Sequence, residues 1–480
     1  MLAYEELQGS TGREAWFRAP RYDARQLFPH LPPRVRVGSS LHRLQDISLG
    51  GLAILCSPAN DDIPDVGEIV SFAIQQSDHT IFEGKGLVCR RENTVLGSKL
   101  AFSLVNGFIE FDRLLSRNTQ AQIAAQSTLT RNIDRLVSKD YRIFCADVLK
   151  VLGSYRELLH EHTTRAGHLK RALDVESTYE ACEAALLPHW RSLWRTGNDL
   201  VRDIVLDQDA LDATKSFTEV VLTPEMCSGA IWNRSYSKPL GYPGDYEVMN
   251  QVYDGQRRGA TIYEMLLHRV GLDVADCIRT RMEVVRDMIA KVVQERGGAR
   301  AARMASLGSG PAREVELFLA GGGLKDAHAD FTLIDQEQAA LNHALEKTYP
   351  HVLKSQGHAR VQCLNISFTD VLRGGGGLAQ LPPQDLIYSV GLLDYLADRR
   401  ARALVRRLYD QLAPGGMLII GNMNETPLSN LWPMEFIVDW SLYYRSDAEM
   451  IGWADGLGAA RAWTETECTD RVRLLFVCKP

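Results

Sequence analysis

The chain has 480 residues, of which 45% are hydrophobic and 24% are charged. At roughly 100–200 residues per domain, this length predicts several domains with sizeable cores. The 54 basic and 60 acidic residues give a formal net charge of −6, so the strongly basic composition of proteins that bind nucleic acid or anionic membranes is excluded. The nine cysteines form no CxxC pair and no Cys/His cluster, which predicts reduced thiols and no metal site.

The start of the sequence bears on where the protein resides. Residues 1–18 lack a basic flank and an apolar stretch, and no uninterrupted apolar run in the chain reaches the ~18 residues that span a bilayer. We therefore expect no signal peptide, no transmembrane segment and a cytoplasmic location.

The first predicted region, residues 1–115, has the pattern of short strands. Its stretches RVRVG, LHRLQDISLGGLAILC, GEIVSFAIQQ and GSKLAFSLV alternate apolar and polar residues between Gly, Asp and Ser turns. This alternation predicts a small β-barrel or sandwich.

Two short motifs of this region carry a likeness to a known receptor. Arg21 and Arg25 form an RxxxR pair, while DxSxxG is formed by Asp46, Ser48 and Gly51. With the strand pattern, these residues resemble the PilZ domain, a bacterial receptor for cyclic di-GMP. The resemblance implies that the two guanidinium groups bind phosphates and stack on guanines. It also implies that Asp46 and Ser48 form hydrogen bonds to a guanine edge and that Gly51 lets the ligand approach closely. A barrel that only docks a partner is the alternative.

The second predicted region, residues 116–222, has a helical spacing of apolar residues and few glycines. It predicts a helical linker or bundle. If the protein forms a homodimer, we expect this region to supply the contact.

The third predicted region, residues 223–480, contains strand-like runs such as RMASLG, DFTLID, VQCLNIS, DLIYSVG and GMLIIGN, which alternate with helical stretches. This alternation is typical of a doubly wound, Rossmann-like α/β domain. The overall fold class is therefore multidomain, with a barrel, a helical region and a C-terminal α/β domain.

A glycine loop in the third region predicts a nucleotide-like ligand. Gly308, Ser309 and Gly310 lie between a strand and an amphipathic helix, where backbone amides approach a ligand closely. Arg313 stands where a dinucleotide fingerprint needs glycine, and no phosphate-binding lysine follows. Asp335 ends the next strand and is suited to accept hydrogen bonds from a ribose diol. A tight turn without a ligand is the alternative interpretation of the glycines.

Later stretches of the chain, LYDQLAPGGMLIIGNMNE, QCLNIS and DLIYSVGLLDYL, resemble class I S-adenosylmethionine-dependent methyltransferases. The likeness implies S-adenosylmethionine as the cofactor, with Asn365 or Ile366 beside the adenine. On the methionine side it implies Ser389, Gly391 and Leu392. The complete set of cofactor-binding residues implied in this way is Gly308, Ser309, Gly310, Asp335, Gln336, Asn365, Ile366, Ser389, Gly391 and Leu392.

The third region also looks like a narrower group. WNRSYSKPLGYPGDYEVMNQVYDG and FIVDWSLYYRSDAEMIGWADG are similar to bacterial methyltransferases of extracellular-factor synthesis, which make the methyl ester of 3-hydroxypalmitic acid. The resemblance implies that residues 235–255, here called the cap segment, close over a sulfonium and exclude water. Alternatively, its tyrosines only pack the helical region onto the α/β domain. These tyrosines are Tyr236, Tyr242, Tyr246 and Tyr253.

The chemistry of the methyl acceptor decides which side chains are needed. A carboxylate, with an ordinary pKa of about 4, is already the reactive anion at neutral pH, whereas an amine or hydroxyl needs a base. Base candidates are Asp394, Tyr395 and Glu425, and acceptor-contact candidates are Tyr443, Tyr444 and Arg445. The candidate catalytic residues as a whole are Tyr236, Tyr242, Asp245, Asp394, Tyr395 and Arg445.

The sequence thus predicts a cyclic di-GMP-responsive S-adenosylmethionine-dependent methyltransferase that acts on a small acid, such as a 3-hydroxy fatty acid. Two alternatives stay open. One is an O- or N-methyltransferase of another small metabolite. The other is a non-catalytic protein that senses S-adenosylmethionine and cyclic di-GMP and docks a partner.

Overall fold

A computed structural model describes most of the chain as two compact units, Met1–Arg131 and Asn132–Pro480. Each unit has its own buried apolar core. The described residues are 20–28, 33–38, 40–56, 64–76, 79–94, 97–168, 174–298, 300–324, 326–372 and 377–480.

The first unit contains a closed β-barrel. Six strands pair antiparallel in the order β3-β2-β5-β6-β7-β4, and β4 pairs back onto β3, while β1 adds to β3. The predicted barrel is therefore confirmed. The elements are β1 (Tyr22–Asp23), α1 (Ala24–Leu27), β2 (Arg34–Val37), β3 (Ser40–Ser48), β4 (Gly51–Cys56), β5 (Ile69–Gln76), β6 (His79–Thr94) and β7 (Gly97–Leu104).

Alternation of side chains along the strands gives the barrel its apolar core. Leu44 in β3, Ile54 in β4 and Ile74 in β5 point into a common core, as the two-residue period of a strand requires. At Gly51 a Cβ would lie 2.2 Å from the carbonyl oxygen of Phe102. Glycine at this position lets β4 pair with β7.

A set of helices leads into and begins the second unit. Several are capped by a side chain that accepts a backbone N–H of the first turn, as Thr261 does for the helix Ile262–Arg296. The predicted helical region is present, and from Asn132 onward it lies in the same compact unit as the sheet that follows. The helices are α2 (Phe111–Leu136), α3 (Lys139–His168), α4 (Val175–Val201), α5 (Gln208–Val221), α6 (Thr223–Met226), α7 (Ala230–Ser237), α8 (Tyr246–Asp254) and α9 (Ile262–Arg296).

The rest of the second unit alternates strands and helices around a seven-stranded sheet, as predicted for an α/β domain. The sheet order is β10-β9-β8-β11-β12-β14-β13. β14 pairs antiparallel with β12 and β13, and the other neighbouring strands are parallel. The elements are β8 (Ala302–Leu307), α10 (Arg313–Ala320), β9 (Ala329–Asp335), α11 (Gln338–Lys354), β10 (Ala359–Asn365), α12 (Phe368–Leu372), β11 (Gln384–Ser389), α13 (Asp398–Asp410), β12 (Leu412–Met423), α14 (Asp447–Ile451), β13 (Arg461–Thr466) and β14 (Val472–Cys478).

This strand order creates a topological switch point between β8 and β11. From β8 the chain builds outward through β9 to β10, and it then returns to the opposite side of β8. Open α/β sheets bind ligands in the crevice that such a reversal leaves at the carboxyl ends of the strands. The crevice lies directly after Leu307 and Ser389, the last residues of β8 and β11.

A cluster of tryptophans joins the helices to the late part of the chain. The ring centroid of Trp190 in α4 lies 5.6 Å from that of Trp432 and 6.1 Å from that of Trp232. The side-chain oxygen of Asn198 accepts the backbone N–H of Trp432 at 2.9 Å. The helical region is therefore part of the core that supports the sheet.

Three predictions from composition can be set beside the structure. No helix in the described ranges has the length and apolarity needed to cross a bilayer. The nine cysteines are free thiols, and no group of three or more His, Cys, Asp or Glu side chains among the described residues could hold a metal ion. The cytoplasmic location and the region boundaries at 115 and 222 stay predictions.

Packing of α4 on Trp432 can be tested with two glycines. A Cβ on Gly197 would lie 2.4 Å from the buried Trp432 ring, whereas a Cβ on Gly153 in α3 meets no described heavy atom within 4 Å. Both alanine variants gain similar helix propensity. We expect Gly197→Ala to have a free energy of unfolding about 1–3 kcal/mol below that of Gly153→Ala. Urea unfolding measures the difference, and equal values would contradict this packing.

Candidate functional site

The loop after β8 has the backbone geometry of a ligand cradle. Gly308 and Gly310 have φ angles of 67° and 50°, a region that glycine adopts without strain. A Cβ on Gly310 would meet no described heavy atom within 4 Å, so open space lies against this residue. The buried Oγ of Ser309 has no hydrogen-bond partner in the described structure. Such an unsatisfied buried hydroxyl is uncommon and calls for a ligand or water.

Asp335, at the end of β9, fastens this loop. One carboxylate oxygen accepts the N–H of Gly310 at 2.8 Å, and the other accepts the N–H of Glu337 at 2.9 Å. Burial raises the pKa of the Asp335 carboxyl, and the backbone hydrogen bonds oppose this shift. Each carboxylate oxygen has further lone-pair capacity. Asp335 can thus hold the loop and still accept hydrogen bonds from a ribose diol.

The residues predicted on the adenine side lie next to Asp335. Asn365 in β10 pairs in register with Asp335, and its side-chain N–H donates to the Asp335 carbonyl oxygen at 3.1 Å. The side-chain oxygen of Gln336 is buried without a hydrogen-bond partner among the described atoms. Half-buried Ile366 follows β10. The structure therefore brings these predicted residues to one edge.

The residues predicted on the methionine side have different positions. The Oγ of Ser389 donates to the Leu307 carbonyl oxygen at 2.8 Å and is buried, so this hydroxyl joins β11 to β8. Gly391 and Leu392 come next, and a Cβ on Gly308 would lie 3.5 Å from the Cβ of Leu392. The ends of β8 and β11 therefore meet across the crevice through backbone and apolar atoms.

The first part of the cap segment is tied to the helices and late loops. The hydroxyl of Tyr236 donates to the carboxylate of Glu219. The ammonium group of Lys238 donates to the carbonyl oxygen and the carboxylate of Asp439 at 2.5 and 2.9 Å. These contacts explain the position of Tyr236 by packing, which is the alternative interpretation of the cap tyrosines. They require no catalytic role for this residue.

Asp245 also has a structural position. It caps α8 by accepting the N–H groups of Glu247 and Val248 at 3.1 and 2.9 Å, and it forms an ion pair with Arg234 at 2.7 Å. The side chain is 1% exposed. Its carboxylate is engaged by the fold, so the geometry does not favour its candidacy as a catalytic residue.

The middle of the cap segment lies at the crevice. Burial raises the pKa of Tyr242, and the nearby carboxylate of Asp335 adds to this effect. A Cβ on Gly244 would lie 2.4 Å from the Trp440 ring and 3.0 Å from the Tyr395 hydroxyl, which accepts the Trp440 indole N–H at 2.9 Å. The cap segment therefore approaches both the β9 side and the β11 side of the crevice.

Asp394 is a buried carboxyl beside this crevice. It lies in a short 3-10 turn, Leu393–Tyr395, directly after β11, and it accepts the backbone N–H of Met423 at 2.6 Å. Burial raises its pKa to about 6, while Arg281 and Arg445 oppose the shift. Of the base candidates, Asp394 has the raised pKa that suits a base at neutral pH.

Arg445, a predicted acceptor contact, has a guanidinium group that the fold already engages. Its guanidinium donates to the carbonyl oxygens of Leu393 and Leu396 and to the side-chain oxygen of Asn422. Arg445 therefore braces the turn after β11 against β12. Tyr443 beside it is exposed.

The other two late candidates differ in exposure. Burial raises the pKa of Tyr444, and the carboxylates of Glu435 and Asp394 add to the effect. The carboxylate of Glu425 is exposed and lies 3.8 Å from Arg202. Glu425 therefore lacks the burial that would tune a base.

The sequence did not single out Arg281 in α9. A Cβ on Gly391 would lie 2.7 Å from a terminal nitrogen of this arginine, and Arg281 is only 9% exposed. Its helix also carries the half-buried Arg279 two positions earlier. No local pattern distinguishes the two, because burial depends on tertiary packing.

The motif residues of the first unit are partly brought together. Arg21 and Lys99 form ion pairs with the carboxylate of Asp46 at 2.8 and 3.1 Å. The hydroxyl of Ser48 donates to the Gly51 carbonyl oxygen at 3.2 Å. The side chain of Arg25 lies outside the described residues. Gly51 is required by barrel pairing, a reason other than ligand approach.

Comparisons with known proteins give remote likenesses. No protein-family model and no curated protein sequence matches the chain. A possible exported protein from Bordetella parapertussis is 19% identical, covering 62% of this chain and 97% of its own, with a TM-score of 0.41. Magnesium protoporphyrin IX methyltransferase from Synechocystis, with bound S-adenosylhomocysteine, is 14% identical. The match covers 52% of this chain and 98% of that protein, with a TM-score of 0.34. N-methyltransferase NodS from Bradyrhizobium japonicum is 16% identical. The match covers 42% of this chain and 88% of that protein, with a TM-score of 0.28.

Asp394→Asn is expected to remove a pH dependence of stability. The folded pKa is raised from 3.8 to about 6, so the folded state binds this proton more tightly than the unfolded state. Wild-type stability therefore falls as pH rises from about 4 to about 6 and stays reduced above that. Asparagine does not ionise and still accepts the Met423 N–H. Relative to wild type, the free energy of unfolding of the variant should increase by about 2 kcal/mol as the pH rises across this window.

Urea unfolding of both proteins at several pH values between about 4.5 and 7.5 measures this gain. A difference in stability that stays constant with pH would contradict the raised pKa of Asp394.

Proposed function

We propose that the second unit is an S-adenosylmethionine-dependent methyltransferase. The observation that carries the proposal is the pairing of the Gly308–Gly310 loop with Asp335 at the switch point of the sheet. In this arrangement the glycine backbone lets a ligand approach closely, and the carboxylate can accept hydrogen bonds from a ribose diol. Arg313 in place of the third glycine argues against a dinucleotide.

The residues present fit an adenosyl group with an amino-acid tail. Asp335 would accept hydrogen bonds from the ribose, and Gln336, Asn365 and Ile366 would contact the adenine. The unsatisfied Ser309 hydroxyl and the Gln336 side-chain oxygen are buried groups that such a ligand would satisfy. Gly308, Gly391 and Leu392 would lie along the tail. When bound, this cofactor supplies an electrophilic methyl group on a sulfonium.

The contribution of the chain itself is orientation and exclusion of water. Displacement at a methyl group needs an in-line acceptor more than it needs a protein nucleophile. Tyr242 and Gly244 bring the cap segment against the crevice, where Trp440 and Tyr395 add aromatic surface. Aromatic faces favour a nearby cation, and a closed cap shields the reacting atoms from water.

A small acid is the acceptor that we propose, and a 3-hydroxy fatty acid is one such acid. A carboxylate acceptor is already ionised at neutral pH and needs no base. The second candidate is an amine or hydroxyl acceptor. It is supported by the buried Asp394, whose pKa of about 6 suits a general base.

The cofactor assignment predicts a loss of affinity in Asp335→Ala. Removing the ribose acceptor and the hydrogen bond to Gly310 should weaken S-adenosylhomocysteine binding by about 1–3 kcal/mol. Isothermal titration calorimetry measures this directly. Asp330→Ala, at the opposite end of β9, is the matched control and should bind as wild type. Unchanged affinity in Asp335→Ala would refute the assignment.

For the first unit, we propose that cyclic di-GMP binds at Arg21, Arg25, Asp46, Ser48 and Gly51 and alters methyl transfer. The ion pairs of Asp46 with Arg21 and Lys99 support a site where cations and a hydrogen-bonding carboxylate lie together. Arg21 is 47% exposed, so its guanidinium can reach a phosphate while Asp46 reaches a guanine edge.

Linkage between the two ligands tests this regulation. If cyclic di-GMP changes the affinity for S-adenosylhomocysteine by about 1–3 kcal/mol, then S-adenosylhomocysteine must change cyclic di-GMP affinity by the same factor. Arg21→Ala should abolish both changes and leave S-adenosylhomocysteine binding alone intact. Arg36→Ala, an exposed arginine of β2, is the control. Independent isotherms and an unaltered transfer rate would leave the barrel as a docking module.

A further inference from the structure

Arg281 is a buried cation without a partner among the described residues. It lies in the middle of α9 and is 9% exposed. No hydrogen bond or ion pair joins its guanidinium to another residue of the described chain. Arg279, on the same helix, behaves differently, because it forms ion pairs with Asp276 and Glu283 at 2.8 and 2.7 Å.

The guanidinium of Arg281 is placed at the crevice. One terminal nitrogen would lie 2.7 Å from a Cβ on Gly391, and the other would lie 3.8 Å from it. Gly391 follows β11 at the carboxyl edge of the sheet, and the next residue, Leu392, would lie 3.5 Å from a Cβ on Gly308 of the glycine loop. The absence of a side chain at Gly391 therefore gives the guanidinium room at the switch point.

Polar groups around Arg281 are close but do not neutralise it by contact. Burial raises the pKa values of Tyr253, Tyr395 and Asp394, and the charge of Arg281 opposes each shift. No carboxylate oxygen of the described residues lies within 4.0 Å of the guanidinium. Asp394 instead accepts the backbone N–H of Met423.

A buried, unpaired guanidinium is costly. Arginine stays protonated in proteins, so it does not escape the desolvation penalty by losing its charge. Removing a charge from water costs several kcal/mol unless an anion of good geometry compensates it. The planar fork of arginine matches a carboxylate through two parallel hydrogen bonds. A ligand carboxylate entering the crevice would supply this compensation.

We propose that Arg281 is the carboxylate-binding residue of the crevice. The inference rests on the proposed methyltransferase function, and it gives Arg281 a ligand contact of the kind predicted for Arg445. The carboxylate belongs either to the methionine part of the cofactor or to an acid acceptor. Both sources have the same recognition chemistry, and binding measurements separate them.

The cofactor arm compares two ligands that differ in the amino-acid part. S-Adenosylhomocysteine carries the carboxylate, whereas 5′-methylthioadenosine has the same adenosine and a thioether but no carboxylate. If Arg281 binds the cofactor, Arg281→Gln should weaken S-adenosylhomocysteine binding about 10- to 100-fold. It should leave 5′-methylthioadenosine binding unchanged, and Arg281→Lys should lie between. Arg279→Gln is the matched control and should bind both ligands as wild type.

The acceptor arm uses 3-hydroxypalmitate as the probe acid in the presence of saturating S-adenosylhomocysteine. If Arg281 binds the acceptor, Arg281→Gln should keep its affinity for both adenosyl ligands and lose about 10-fold or more in affinity for the acid. Thermal unfolding without ligands provides a further readout. Because an unpaired buried charge is removed, the Tm of Arg281→Gln should not fall, whereas a structural role would lower it.

Each outcome decides the proposal. Unchanged S-adenosylhomocysteine affinity in Arg281→Gln, together with no loss of acid binding, overturns it. An equal loss of both adenosyl ligands together with a lower Tm also overturns it, because that result indicates a packing role. If wild type binds neither adenosyl ligand, the proposed function itself fails and this inference falls with it. Binding of both ligands by wild type and variant alike refutes the cofactor arm and leaves the proposed function standing.

Discussion

The hydrogen bond from the Gly310 N–H to the Asp335 carboxylate is the contact on which the crevice depends. It ties the loop after β8 to the end of β9, and a second bond from Glu337 fixes the other carboxylate oxygen. The loop can therefore stay open on the side where Gly310 faces empty space. A carboxylate that serves both the loop and a ribose would make ligand binding sensitive to the position of two neighbouring strands.

The helices before the sheet complete this crevice. α9 brings Arg281 under Gly391, and the cap segment brings Gly244 against Trp440. α4 packs on Trp432, which belongs to the same late part of the chain as Trp440. Sites that need a closed, dry crevice are supported in this way by elements that lie far away in sequence.

The loop and Asp335 could be predicted from the sequence because their positions follow local rules. A glycine pair after a strand and an acidic residue after the next strand come together whenever parallel strands are neighbours. The roles of Arg281 and Arg445 could not be predicted in this way. Both are arginines in polar stretches. Only tertiary packing shows that Arg445 donates to two carbonyl oxygens and the Asn422 side chain, while Arg281 has no partner among the described residues. Tyr236 illustrates the same limit, since its partner Glu219 lies in another helix.

The crevice also holds two opposite charges, Asp394 and Arg281, that do not pair with each other by direct contact. Asp394 is buried with a raised pKa, and no carboxylate among the described residues contacts the buried Arg281. If the two were in direct contact, each would neutralise the other and neither would be available to a ligand. Holding Asp394 on the backbone N–H of Met423 keeps it apart from Arg281. A ligand carboxylate at Arg281 would then raise the pKa of Asp394 further, because like charge nearby disfavours ionisation. Binding of an acid would thus favour the neutral form of Asp394, which is compatible with an acceptor that needs no base.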